Sequence, residues 1–281
     1  ATFWVEYVFG HWPHSISVLF TTVALVKFID ALPAENPWRP AFLSGLAVGA
    51  GILFRIDGIL VLPAIAAATV LWALRPVQVL AAGAAGLAPG IALLSVTNHI
   101  KFGTWNPISY GSSSGGTDPS NHLMAGGVIV AGLVILLCIR WFRPQDRPVG
   151  RLILAIAVAG AALAAAAVIP AQIGKLLAGT GALLVDATTI EDPRAGVVSR
   201  PDGTLFFWGF PKKALFQSLP WLGCLSFLAA GAWRQQRQSL AIVLILFVIW
   251  LLPFAKGGWH GGLGLNMRYF LPALPALVAT G

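Results

Sequence analysis

Charge is what this sequence has least of. Only 10% of its 281 residues are Asp, Glu, Lys or Arg, where a soluble domain carries about 25%. With 57% hydrophobic residues and a mean hydropathy of +0.81, a soluble fold of this length has too little interior to hide its apolar surface. Cysteine is almost as scarce. Cys138 and Cys224 both lie inside apolar runs, which excludes a disulfide framework or zinc spacing and makes them small buried hydrophobes. No stretch alternates polar and apolar residues as barrel strands do. Signal-peptide pattern, P-loop, dinucleotide fingerprint and Ser-His-Asp arrangement are all lacking.

What the chain does have is a series of apolar runs, each long enough to cross hydrocarbon, roughly 17–25 residues. Helices are the spanning structure that remains. The expectation is an all-α, polytopic transmembrane helical bundle of about nine spans, treated as a single transmembrane domain over 1–281. The chain opens on Ala1 and stops at Gly281 inside an apolar run that begins near Phe270. It is therefore expected to be an internal piece of a longer protein.

The first span is placed at about 15–32, between Pro13 and Pro33, with Lys27 and Asp30 near its end. The stretch Ala41 to Leu74 would be a helix roughly 51 Å long, against roughly 30 Å of hydrocarbon. It reads better as two short spans meeting at a polar tip, Arg55-Ile56-Asp57-Gly58. Further spans are expected near 77–97, 123–142, 152–171, 214–232 and 239–254. Three long loops separate them, at 98–122, 172–213 and 256–269. The second has an amphipathic start over Ile173 to Val185, then turn chemistry, then the aromatic and basic mix of a membrane interface from Phe206 to Lys213.

Counting spans alternately sorts the loops onto two faces. One receives the short basic loops around Arg39, Arg75, Arg140 to Arg151 and Arg234 to Gln238. By the positive-inside rule it is cytoplasmic. The other receives the N-terminal segment, the Arg55–Asp57 tip and the three long loops. It holds all five His residues and every acidic residue except Asp30, Glu35 and Asp146. The net charge of +8 is thus explained by orientation and anionic headgroups, with no nucleic-acid partner.

Four segments carry candidate chemistry. In KGGWHGGLGLNMRYFLPALP (256–275), glycines permit close backbone approach. Arg268 stands where a span enters the membrane, and phosphate suits its planar fork. The plainer reading is a snorkelling arginine in an interfacial loop. In GLAVGAGILFRIDGILVLP (45–63), Gly45, Gly49 and Gly51 would allow close helix packing. Arg55 and Asp57 mark a tip whose plainer reading is a local ion pair. In NHIKFGTWNPISYG (98–111), Lys101, Trp105 and Tyr110 alternate with turn residues. Trp105 suits either sugar stacking or an interface belt. In WVEYVFGHWPH (4–14), Glu6 is a candidate base. His11 and His14 have helix-face metal spacing, but Pro13 intervenes and no third ligand is evident.

Taken together and in order, these segments resemble the membrane-embedded GT-C glycosyltransferases, in the group of protein mannosyltransferases and lipid A aminoarabinose transferases. The likeness lies in VFGHWPHSIS (8–17), RIDGILVLP (55–63), NHIKFGTWNPISY (98–110) and WHGGLGLNMRYFLPALP (259–275). Asn266-Met267 departs from the family pattern before Arg268. The resemblance implies a bacterial inner (plasma) membrane enzyme with its active face outside the cytoplasm. It would move a sugar from a polyprenyl-phosphate donor to a lipid, glycan or protein acceptor, with inversion.

On that resemblance Arg268, aided by Arg55 and Lys101, binds the donor phosphate. Tyr269, Trp259, His260, Tyr110 and Trp105 line the cavity. The acidic base is expected upstream of Ala1, with Glu6 and Asp57 as weaker candidates inside the chain. No cofactor is assigned, and a divalent cation stays open. The competing expectation is a transporter or flippase for a lipid-linked or small polar substrate, without bond chemistry.

Overall fold

The computed structural model describes residues 14–109, 170–185, 197–199, 201, 205–207, 210–218, 242–243 and 245–251. The sequence reading took 1–281 as one domain. Contacts group it into two compact units, Trp12–Leu154 in one and Ala1–His11 with Ala155–Gly281 in the other.

In the first unit, four helices follow the apolar runs. They are α1 (His14–Ala31), α2 (Trp38–Phe54), α3 (Val61–Trp72) and α4 (Pro76–Phe102), with a 3-10 turn over Ile56–Leu60. Proline punctuates them. Pro40, Pro63 and Pro76 fall in the first turns of α2, α3 and α4, where the missing N–H would have had no partner. The long run from Ala41 to Leu74 does break at the tip, because Arg55 is extended (φ −149°, ψ 118°). Helix α4 is longer than expected. It carries Asn98, His99 and Lys101 in its last turns and stops only at Gly103, whose φ of 69° lies in the left-handed region. The loop set to begin at residue 98 therefore begins at 103.

The helices pack through small residues. Helices α1 and α2 run antiparallel: the Ser44 hydroxyl donates to the Ala24 carbonyl at 2.8 Å, and Phe20 stacks on Phe54 at 5.8 Å. Helices α2 and α4 run parallel, with Gly45 against Gly83 and Gly49 against Gly90. A Cβ on Gly45, Gly86 or Gly90 would fall less than 3.0 Å from the facing backbone, so only glycine permits this approach. The expected packing role of Gly45 and Gly49 is met. Their partners, Gly83, Gly86 and Gly90, had not been singled out. Gly51 turns instead to α1, where an added Cβ would come to 3.2 Å from the Phe20 side chain.

The outside is more apolar in bulk than the inside. On α1 the buried face reads Ser17, Val18, Thr21, Ala24, Leu25 and Phe28, whereas Ile16, Leu19, Val23, Val26 and Ile29 are exposed. Helix α4 exposes Val77, Leu80, Leu93, Val96 and Ile100. This helix is long and apolar enough to cross a membrane, and only 22% of its most apolar window is buried, unlike a soluble core helix. At about 40 Å it exceeds the hydrocarbon thickness. Helix α2 and the tip-to-α3 stretch are apolar but shorter. The Thr22, Thr69 and Thr97 hydroxyls donate to carbonyls four residues back, which leaves them no need of water.

In the second unit, α5 (Pro170–Leu184) covers the expected amphipathic start. Three three-residue strands follow, β1 (Val197–Ser199), β2 (Leu205–Phe207) and β3 (Phe210–Lys212), in an antiparallel meander. Val197 pairs with Phe207, and Phe207 with Phe210. The helical class stands, but this meander within 172–213 is an addition to the all-α expectation. Pro211 sits in edge strand β3, where a missing donor is tolerated. Helix α6 (Leu215–Ser218) starts with the Gln217 side chain accepting from the Ala214 N–H at 2.7 Å, half of a capping box. Residues 242–243 and 245–251 are helical, with Leu246 and Trp250 buried. The expected span 123–142, residues 152–169 of the expected span 152–171, 219–232 of the span 214–232, part of the span 239–254 and the run from 270 lie outside the described residues.

Candidate functional site

Helix directions decide which side chains share an end of the first unit. Because α2 and α4 run parallel while α1 and α3 run opposite to them, the start of α1, the Arg55–Leu60 tip and the end of α4 lie together. The opposite end carries the links 32–37 and 73–75, joined by the Leu74 N–H donating to the Leu32 carbonyl at 2.9 Å. Exposed Arg39 and Arg75 are there, as is the Lys27–Asp30 pair at 2.8 Å. Within this unit the loops sort into the two sets that span counting gave.

At the tip, Arg55 ends α2 and Asp57 opens the 3-10 turn. The guanidinium grips the carboxylate with two bonds, Nε to Oδ1 at 2.8 Å and a terminal nitrogen to Oδ2 at 2.5 Å. Both side chains are largely buried, 13% and 12% exposed. The local ion pair is thus present. Arg55 can meet a phosphate only if it shares or releases Asp57, and Asp57 meets the same constraint as a base.

The end of α4 forms a hook. Gly103 reverses the chain, and the buried Asn98 amide donates to the carbonyls of Asn106, Pro107 and Ser109 at 2.9, 3.1 and 3.3 Å. Within the hook the Asn106 side chain accepts from the Ile108 N–H at 3.0 Å, and the Thr104 hydroxyl from the Asn106 N–H at 3.2 Å. This brings Trp105 back over His99. Their rings stack at 4.1 Å and 11°, and Trp105 remains 62% exposed. Exposed Lys101 stands two residues beyond His99.

Asn98 is the residue that sequence reasoning missed. The signal was there: an asparagine one turn before Phe-Gly, followed by an Asn-Pro turn. His99, seen only as one of five histidines, is the support of Trp105.

The hook and the tip share an end without forming one cluster. Gly49 packs at the level of Leu87 and Gly90. Counting on from there at about 1.5 Å per residue, Lys101 stands roughly 8–12 Å further out along the axis than Arg55.

No protein-family model, curated protein or solved structure matches the chain. Among the described residues no group of three or more His, Cys, Asp or Glu could hold a metal ion. Glu6, Tyr110, Trp259, His260, Arg268 and Tyr269 lie outside the described residues.

Chemically, the described end offers an exposed aromatic face stacked on a second ring, an exposed ammonium on the same helix end and a paired guanidinium. Aromatic faces take the apolar side of a sugar ring. Lysine and arginine take phosphate oxygens.

Proposed function

We propose that this chain is the multi-pass membrane part, about nine spans, of a glycosyltransferase of a bacterial inner membrane. It moves a sugar from a polyprenyl-phosphate donor to a lipid, glycan or protein acceptor at the extracytoplasmic face. The observation that supports this reading most is the hook. The Trp105 platform and Lys101 stand at one end of an apolar-faced helix, with the Arg55–Asp57 pair at the same end.

In this reading the leaving group is the lipid phosphate. A carboxylate takes the proton of the acceptor hydroxyl or amine as it attacks the anomeric carbon. The anomeric bond to phosphate oxygen breaks, and Arg268, with Lys101 and Arg55, offsets the charge gathering on that oxygen. Trp105, Tyr110, Trp259, His260 and Tyr269 shape the sugar cavity.

The test is Arg268→Ala in the full-length protein, reconstituted in liposomes with a radiolabelled polyprenyl-phosphate sugar. Loss of transfer with normal insertion is expected. Normal transfer by the variant removes the phosphate role. Movement of the intact lipid-linked sugar across the bilayer, with no change in its bonds, would instead establish a flippase.

A further inference from the structure

Helix α3 stands off from α2 and α4, and a groove of about 230 Å³ lies between them. Its lining is apolar and includes the small residues Ala41, Gly45 and Gly83 beside Phe28 and Val48. Its mouth opens between Ile65 and Ala66 of α3 and Leu80 and Ala84 of α4, none of which is buried. From Val79 to Leu87 the groove follows α4 for about 12 Å.

The wall contains two hydroxyls, and both have intraprotein acceptors. Ser44 donates to Ala24 at 2.8 Å, and Thr69 to Ile65 at 2.7 Å. A polar ligand would therefore lose its water without replacement bonds, and water itself does not fill an apolar cavity. Just outside the mouth, Val77 and Leu80 are 77% and 41% exposed, so the groove continues the apolar outer face of the helix long enough to cross a membrane. What meets that face in a bilayer is hydrocarbon. Branched Val48, Leu62, Ile65, Val79, Leu80 and Leu87 already crowd the lining between its small residues, which suits a thin, unbranched chain better than a methyl-branched one.

We infer that this groove holds one fatty-acyl chain of a bilayer phospholipid, retained between α2, α3 and α4. The inference rests on the membrane placement of these helices and not on the transferase chemistry. The retained chain fills the gap that α3 leaves, so it ties α3 to the glycine-packed α2–α4 pair.

The test uses full-length protein from cells fed a diazirine-bearing fatty acid. One sample is irradiated in membranes and one after detergent exchange has removed loosely held lipid. Peptides are then mapped by mass spectrometry. In membranes, label is expected both on the outer α1 stripe and around Ala66 and Ala84. After exchange it should persist only at the groove. Ala66→Phe combined with Ala84→Phe should abolish the persistent label and leave the α1 label in membranes unchanged.

Equal loss of both labels on exchange overturns the inference while leaving the membrane placement intact. So does persistence in the double variant. Displacement of the label by added long-chain polyprenyl phosphate, but not by phosphatidylglycerol, gives the groove to the isoprenoid and also overturns it. Absence of label from the α1 stripe in membranes overturns the membrane placement itself.

Discussion

Two glycines about one turn apart on α4, both turned toward α2, should respond differently to the same added methyl. A Cβ on Gly86 would be driven into the Phe42 carbonyl and approach the Leu46 amide at 2.9 Å, whereas a Cβ on Gly83 meets only the Ala41 carbonyl at 3.8 Å. Helices separated within a bilayer remain helical. The usual gain of about 1 kcal/mol for replacing glycine by alanine in a helix therefore largely cancels. What remains for Gly86→Ala is the cost of overpacking, about 1–3 kcal/mol. For Gly83→Ala ordinary contact is made, and the change should stay within about 0.5 kcal/mol. At roughly 2–4 °C per kcal/mol for a chain of this size, Gly86→Ala should lower the melting temperature of the purified full-length protein by about 2–12 °C. Gly83→Ala should leave it unmoved. Equal shifts for the two variants would refute the parallel α2–α4 contact and, with it, the placing of tip and hook at one end.

The tip gives a second prediction. Asp57→Ala takes the paired carboxylate from a largely buried guanidinium, at a cost of about 3–5 kcal/mol, and removing Arg55 as well should recover part of it. A double-mutant cycle by reversible unfolding in detergent checks the sign. Asn98→Ala should cut the ties to three carbonyls and free the 103–109 hook, seen as faster amide exchange there with the rest of α4 protected. In the same variant Trp105 should lose its stack on His99, and its fluorescence should shift toward that of solvated indole. Lys101→Ala should weaken binding of a soluble polyprenyl-phosphate sugar analogue without altering melting temperature, because its exposed side chain packs against nothing essential. An unchanged dissociation constant by titration calorimetry would remove Lys101 from the phosphate site.

The first helix, the break of the Ala41–Leu74 run and the sorting of the loops within the first unit were legible because each depends on local properties. Proline fixes where helices start, apolar length limits how far they run, and Arg-Ile-Asp-Gly cannot continue a helix in hydrocarbon. The end of α4 was misplaced by five residues. Polar Asn98 and Lys101 look like loop residues, yet hydrogen bonding inside the hook keeps them helical until Gly103. The β meander was equally hidden, since strands of three residues carry too short a pattern to separate from turn chemistry. Arg55 was legible as a charge in a costly place, but its two-bonded grip on Asp57 depends on the extended backbone at Arg55.

Composition and spacing by themselves determined that the described part of this chain is mainly helical and that the chain repeatedly presents apolar runs of membrane-spanning length. They suffice for this because hydrophobicity and proline act on the nearest few residues. Only the tertiary structure decided that α2 and α4 approach through Gly45, Gly83, Gly86 and Gly90, and that Asn98 folds the chain back so that Trp105 lies on His99. The glycine contacts depend on residues about forty positions apart in sequence meeting at carbonyl-to-carbon distance, and no local pattern records which glycine faces which.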